Sequence, residues 1–237
     1  MELTPAIVPV PLRLDGASVE AFATALDAAV HGPAPVVVLR APEPGAFCLG
    51  LAIDAAGAGP TSAESFADVL TSLHRAPKPL LAVVEGDGIG GGLGLACACD
   101  WVLATPDARF GLPELLWGLL PAMIWPVIAD RMAPHAARQW TIAAHTRTVD
   151  EAVAAGVVDA VVPADRLEAA MRRAIRTLAR LEPTALPRLR AWMRDSRTLP
   201  LAEAVAAGAA ITGGMMTDAT VLARWRAFAD GGVPWSA

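Results

Sequence analysis

The sequence predicts an α/β fold that gives way to a helical C-terminal region, and three observations carry that prediction. Short apolar runs at Val36–Leu39, Leu80–Val84 and Trp101–Ala104 alternate with stretches of helix formers, the pattern of layered strand and helix packing. A glycine-rich run, Asp87-Gly88-Ile89-Gly90-Gly91-Gly92-Leu93-Gly94, stands directly between a strand signal and a helix signal. Beyond Leu120 strand signals nearly vanish, with Val157–Val162 the one further candidate. At 237 residues the chain suffices for one large domain, or a core with a small appendage. The expected division is a core over 1–182 and a helical region over 183–237.

In chain order, Ile7 to Leu14 reads as a strand, followed by an amphipathic helix from Ser18 to about Val30 with Ser18 as its cap. Val36–Leu39 is a short buried strand, and Phe47-Cys48-Leu49-Gly50-Leu51 follows it. Asp54 to Pro60, small and glycine-containing, reads as a loop leading into a helix from about Ser62 to His74. The strand Leu80–Val84, the glycine turn, a helix to about Cys99 and a strand at Trp101–Ala104 come next. The remaining helices are expected over Pro121–Met132, His135–Ala143, Val149–Ala155, Asp165–Leu181, Ala185–Asp195, Leu201–Ile211 and Thr217–Asp230.

Composition narrows the function classes. The net charge of −5 argues against a nucleic-acid surface, which needs a basic footprint. No stretch reaches the roughly 18 uninterrupted apolar residues of a membrane span. The opening Met1-Glu2-Leu3-Thr4-Pro5 has no basic-then-apolar signal pattern, so a soluble cytoplasmic protein is expected. Cys48, Cys97 and Cys99 read as reduced core thiols, and His31, His74, His135 and His145 form no metal-type pair, so no metal is expected. The arginines between Arg172 and Arg197 fall at the spacing of a solvated helix face.

The chemistry concentrates in the glycine run and its flanks. Consecutive glycines allow close backbone approach to a ligand, and the first amides of the next helix lack intrahelical partners, so they can face negative charge. With Phe47–Leu51 upstream and Phe110-Gly111-Leu112-Pro113-Glu114 downstream, this reads as a backbone anion hole facing one carboxylate, a layout suited to an enolate. On these motifs the chain resembles the crotonase (enoyl-CoA hydratase/isomerase) superfamily from about Val36 to Asp195. The resemblance implies a spiral of ββα units assembled as a homotrimer or hexamer. It implies that the amides of Leu51 and Gly91 hold the thioester oxygen, with Glu114 as the catalytic carboxylate and Gly50, Gly90, Gly92, Gly94 and Trp117 at the substrate. Family hydratases carry two glutamates; here the first position is Gly94 and only Glu114 remains. The acidic residue often found just after the first hole donor is Ala52, with Asp54 two positions on. Burial beside Phe110 and Trp117 is expected to raise the pKa of Glu114, the direction useful to a proton shuttle.

A narrower resemblance, over Phe110–Pro126 with Gly94 and the closing Val233-Pro234-Trp235, is to crotonase-like dehydratases of polyketide β-branching cassettes. It implies dehydration of 3-hydroxy-3-methylglutaryl on an acyl carrier protein to 3-methylglutaconyl, with no cofactor beyond the phosphopantetheine arm or CoA that carries the acyl group. From Ala41 to His74 there is no lysine or arginine, which leans the same way, because CoA phosphates favour cationic side chains. The alternatives are an enoyl-CoA hydratase or isomerase acting on free CoA esters and a non-catalytic crotonase-like partner subunit. Trp125 reads as a core residue. A distal carboxylate on the substrate would want a cation, and the sequence does not single one out among Arg75, Lys78 and Arg147.

Overall fold

The computed structural model describes residues 3–52 and 60–233, so Asp54 and the closing Pro234-Trp235 lie outside the described residues. The chain divides into two compact units, one ending at Ala179 and the other beginning at Arg180.

The first unit opens with β1 (Ala6–Pro9) and α1 (Gly16–His31) and then repeats a strand–strand–helix motif. The repeats are β2 (Val37–Arg40), β3 (Ala46–Cys48), α2 (Pro60–Arg75); then β4 (Leu80–Val84), β5 (Asp87–Ile89), α3 (Gly91–Cys97); then β6 (Trp101–Ala104), β7 (Arg109–Gly111), a 3-10 turn (Glu114–Trp117) and α4 (Trp125–Arg131). α5 (Pro134–Ala143), β8 (Arg147–Thr148), α6 (Val149–Ala154), β9 (Ala160–Val161) and α7 (Ala164–Leu178) complete it. The first strand of each repeat joins a five-stranded parallel sheet of order β1-β2-β4-β6-β9, and the second joins a smaller sheet of order β3-β5-β7-β8, antiparallel only at β7–β8. The expected α/β fold with a helical C-terminal region is the fold observed.

Period-2 alternation explains why the large sheet is buried on both faces. Val37, Leu39, Leu80, Ala82 and Val84 point into a core shared with Phe22 and Leu26 of α1 and Phe66 and Leu73 of α2. Their neighbours Val38, Leu81 and Val83 point the opposite way, into a second core with Leu167, Met171 and Ile175 of α7. The exposed arginines Arg172, Arg173 and Arg176 occupy the outer face of α7, as the sequence suggests. Cys48, Cys97 and Cys99 are buried thiols outside any disulfide among the described residues, and burial pushes the Cys48 thiol up to about 11 and the Cys97 thiol up to about 12.

Some local expectations are corrected. Asp15, not Ser18, caps α1: its carboxylate accepts the Ser18 amide at 2.8 Å while the Ser18 hydroxyl accepts the Asp15 amide at 2.9 Å, a reciprocal capping box. The two bonds from Ser18 hold the Asp15 carboxyl below its usual range. Trp125 is not a core residue; it is 38% exposed at the start of α4.

In the second unit, α8 (Ala185–Ser196), α9 (Leu201–Met215) and α10 (Ala219–Ala229) follow one another, and none of the three buries a residue. Arg224 of α10 pairs with Glu182 at 3.1 Å. No single helix among the described residues is long and apolar enough to cross a membrane.

Candidate active site

The first turn of the site follows β3. Leu49 and Ala52 donate to the carbonyls of Leu12 and Leu14, and Leu14 donates to Gly50, so the segment after β3 is laced to the extension of β1. That lacing uses the amides of Leu49 and Ala52 and leaves the amide of Leu51 on the other side. The second turn enters α3, where Gly90 adopts φ 55°, a backbone that side-chain-bearing residues rarely take. Gly91 is the first helical residue, with no carbonyl a turn behind it to accept its N–H. Among the described residues neither the Leu51 nor the Gly91 amide donates to a backbone carbonyl outside these regular elements or to a side chain.

Gly50, itself at φ 77°, brings the two turns together. A Cβ added there would lie 3.1 Å from the Gly91 amide nitrogen and 3.0 Å from the Ile89 carbonyl oxygen. A Cβ added at Gly90 would lie 2.6 Å from Oε1 of Glu114, so the carboxylate rests directly against the helix entrance. Leu51, Gly50, Gly90, Glu114 and Trp117 line one cavity of about 450 Å³. Gly91 lies one residue along from that lining. Gly92 and Gly94 are not part of it. Gly92 abuts the Cys48 carbonyl, where an added Cβ would stand 2.1 Å away, and Gly94 faces Ile124, whose Cγ2 would be 3.2 Å from an added Cβ. Their lack of a side chain permits α3 to pack against β3 and against the residue that leads into α4.

Glu114 opens the 3-10 turn that follows Pro113, and Gly118 ends that turn in the left-handed region at φ 72°. Glu114 is 8% exposed, and its Oε2 is buried without a hydrogen-bond partner among the described residues. Burial pushes the Glu114 carboxyl above the usual range, against a smaller lowering by its own backbone amide. Phe110 is fully buried, while Trp117 is 64% exposed at the cavity. The arrangement offers two free amide donors for an oxyanion and one desolvated base beside them.

The cations left open by the sequence lie elsewhere. Lys78 donates to the Ala29 and Gly32 carbonyls at the end of α1. Arg147 stacks on Trp140 at 5.0 Å and pairs with Glu151 at 3.1 Å. Arg75 borders a separate, smaller groove between α1 and α2. The basic residue that does line the cavity is Arg13, which no local motif in the sequence marks. Its placement comes from the pairing of the β1 extension with the segment after β3, a long-range contact with no local signal. Among the described residues no group of three His, Cys, Asp or Glu side chains is positioned to hold a metal ion.

A family model described as enoyl-CoA hydratase/isomerase matches residues 14–231. A peroxisomal bifunctional enzyme of Danio rerio is 31% identical over 169 residues, covering 70% of this chain and 23% of that protein. The chain spans under a quarter of the length of the curated relatives it matches. Among solved structures, Pseudomonas aeruginosa AtuE is 30% identical with a TM-score of 0.83, covering 95% of this chain and 91% of that one. An enoyl-CoA hydratase from Bacillus anthracis, 21% identical, has the same fold with a TM-score of 0.84, covering 98% of this chain and 95% of that one.

Proposed function

The chain belongs to the enoyl-CoA hydratase/isomerase family, and from that premise we propose that it dehydrates a 3-hydroxyacyl thioester, 3-hydroxy-3-methylglutaryl on an acyl carrier protein being the substrate we favour. The observation that carries this reading is the pairing of one buried carboxylate with two free amides, while the position of a second carboxylate is glycine against Ile124. The thioester oxygen sits between the Leu51 and Gly91 amides, which take up the charge as the enolate forms. Each such donor supplies roughly 2.7–4 kcal/mol to the transition state. Glu114 removes the α-proton and passes it to the departing β-hydroxyl, so that water leaves and an α,β-double bond forms. One carboxylate suffices because the proton is taken and returned on one side of the substrate. Trp117 at the cavity restricts the acyl group to a short branched chain. The homotrimeric or hexameric assembly and the carrier-protein partner are parts of the same proposal.

Incubation of the purified chain with 3-hydroxy-3-methylglutaryl carrier protein, followed by intact-mass measurement, is expected to show loss of one water. An unchanged mass sinks the substrate assignment. The second reading, a hydratase or isomerase on free CoA esters, draws on the enoyl-CoA hydratase/isomerase family to which the chain belongs and uses the same amides and carboxylate. Turnover of the CoA ester at least as fast as the carrier-bound one would favour it.

A further inference from the structure

Arg13 is the only basic residue among the described residues that line the cavity, and Glu114 is the only acidic one. The two form no ion pair, and Glu114 owes its raised pKa to burial with no contribution from Arg13. One guanidinium N–H of Arg13, on Nη1, donates to the Leu49 carbonyl at 3.2 Å. No carboxylate among the described residues pairs with the guanidinium, although charged side chains elsewhere on this unit, Arg40, Arg131 and Arg147, each have an acidic partner. A guanidinium presents five N–H donors in a planar fork suited to a carboxylate. Here one is used on the backbone and none on an acid.

The position of that fork is tied to the hole. Arg13 precedes Leu14, which bridges to Leu51, and its side chain is pinned to Leu49, two residues before the Leu51 amide. Arg13 lines the same cavity as Leu51, Gly90 and Glu114, so an anionic group held by it shares that cavity with the acyl thioester. The phosphate of a pantetheine arm lies the whole length of that arm from the carbonyl, whereas a carboxylate on a short acyl chain lies within a few bonds of it. We propose that Arg13 is a specificity-determining residue that binds a carboxylate borne by the acyl group, so that the cavity selects dicarboxylic over monocarboxylic acyl thioesters. This rests on the thioester reading of the site.

The test is calorimetric binding of two unreactive thioesters, glutaryl-pantetheine and pentanoyl-pantetheine, to the whole chain and to Arg13→Leu and Arg13→Lys. Neither ligand has a β-hydroxyl, so binding is read apart from turnover. The wild type is expected to bind the glutaryl ester about tenfold to a hundredfold more tightly, the range of a charged hydrogen-bonded contact. Arg13→Leu is expected to erase that ratio and Arg13→Lys to restore part of it, with the melting temperature unchanged in both because the side chain is exposed. Equal or undetectable binding of both esters by the wild type, or a preference that survives Arg13→Leu, overturns the inference. An effect of Arg13→Leu seen only after phosphopantetheine replaces pantetheine assigns the guanidinium to the phosphate and also overturns it. Failure of the dehydration reading looks different: the glutaryl preference persists while the 3-hydroxy-3-methylglutaryl carrier protein keeps its mass.

Discussion

At the scale of single residues, burial of Glu114 serves the proposed reaction at the expense of stability. Its carboxylate is desolvated and its Oε2 unpartnered, so the folded pKa stands above that of the unfolded chain. A base must be ionised to remove a proton, so kcat/KM is expected to rise with pH along a limb displaced above the ordinary carboxylate range. Glu114→Gln is expected to lower kcat by about 10²- to 10⁴-fold, the span of a general base, in a stopped-flow or mass assay of dehydration. The stability effect runs the other way. The native contribution of Glu114 is present below its unfolded pKa and is lost as pH rises through the raised folded value, because the buried charge is then uncompensated. Melting curves should therefore show Glu114→Gln above the wild type at neutral pH, with the gap closing at low pH. Glu114 was legible in the sequence because its segment carries a local motif. Arg13 was not, because its place depends on a contact between residues 36 apart.

At the scale of elements, the α3 entrance is built by what glycine omits. Gly90 leaves room for the Glu114 carboxylate, Gly92 for the Cys48 carbonyl and Gly94 for the Ile124 side chain. Replacing Gly94 by Glu would not simply add a second carboxylate to the site, because the new Cβ would meet Ile124 at 3.2 Å. Urea denaturation of Gly94→Glu is expected to show a loss of about 1–3 kcal/mol from overpacking. Paired with Ile124→Ala, part of that loss should return as a favourable coupling of roughly 0.5–3 kcal/mol. Simple additivity of the two changes would refute the packing account. The sequence displayed this turn plainly, since the glycines are contiguous between two periodic runs. It did not display β5, β7 or β8, which have three residues at most and are too short to express a period. The pairing of β5 and β7 is supplied by the ββα repeat, whose larger sheet fixes where each second strand begins, and β8 joins as an antiparallel edge on β7.

At the scale of the whole molecule, two features hold or extend the fold beyond any one element. Arg131, at the end of α4, donates to the carbonyls of Cys99, Gly156 and Val157 and pairs with Asp159 at 2.6 Å, while Asp159 accepts the Val102 amide at 2.7 Å. One side chain thus ties α4 to the β6–β9 edge, and removing it strands several acceptors at once. Arg131→Ala is expected to cost about 1–3 kcal/mol in chemical denaturation, mostly from the carbonyls it leaves without a donor because Asp159 is partly exposed, with Arg131→Lys recovering a minority of it. The second feature is the apolar surface of α8–α10. Leu201 is 81% exposed, Trp225 64% and Phe228 60%, although apolar area favours burial by about 25 cal/mol per Å². The sequence marked these helices but not their outlet, because α9 is rich in alanine and glycine and shows no single apolar stripe. A homotrimer or hexamer gives that surface somewhere to go. Sedimentation velocity of the purified chain is expected to give three or six times the mass of one chain, and the double variant Trp225→Ser, Phe228→Ser should move the distribution toward one. A wild-type chain that sediments alone at micromolar concentration, with these side chains still in water, would remove assembly from the proposal.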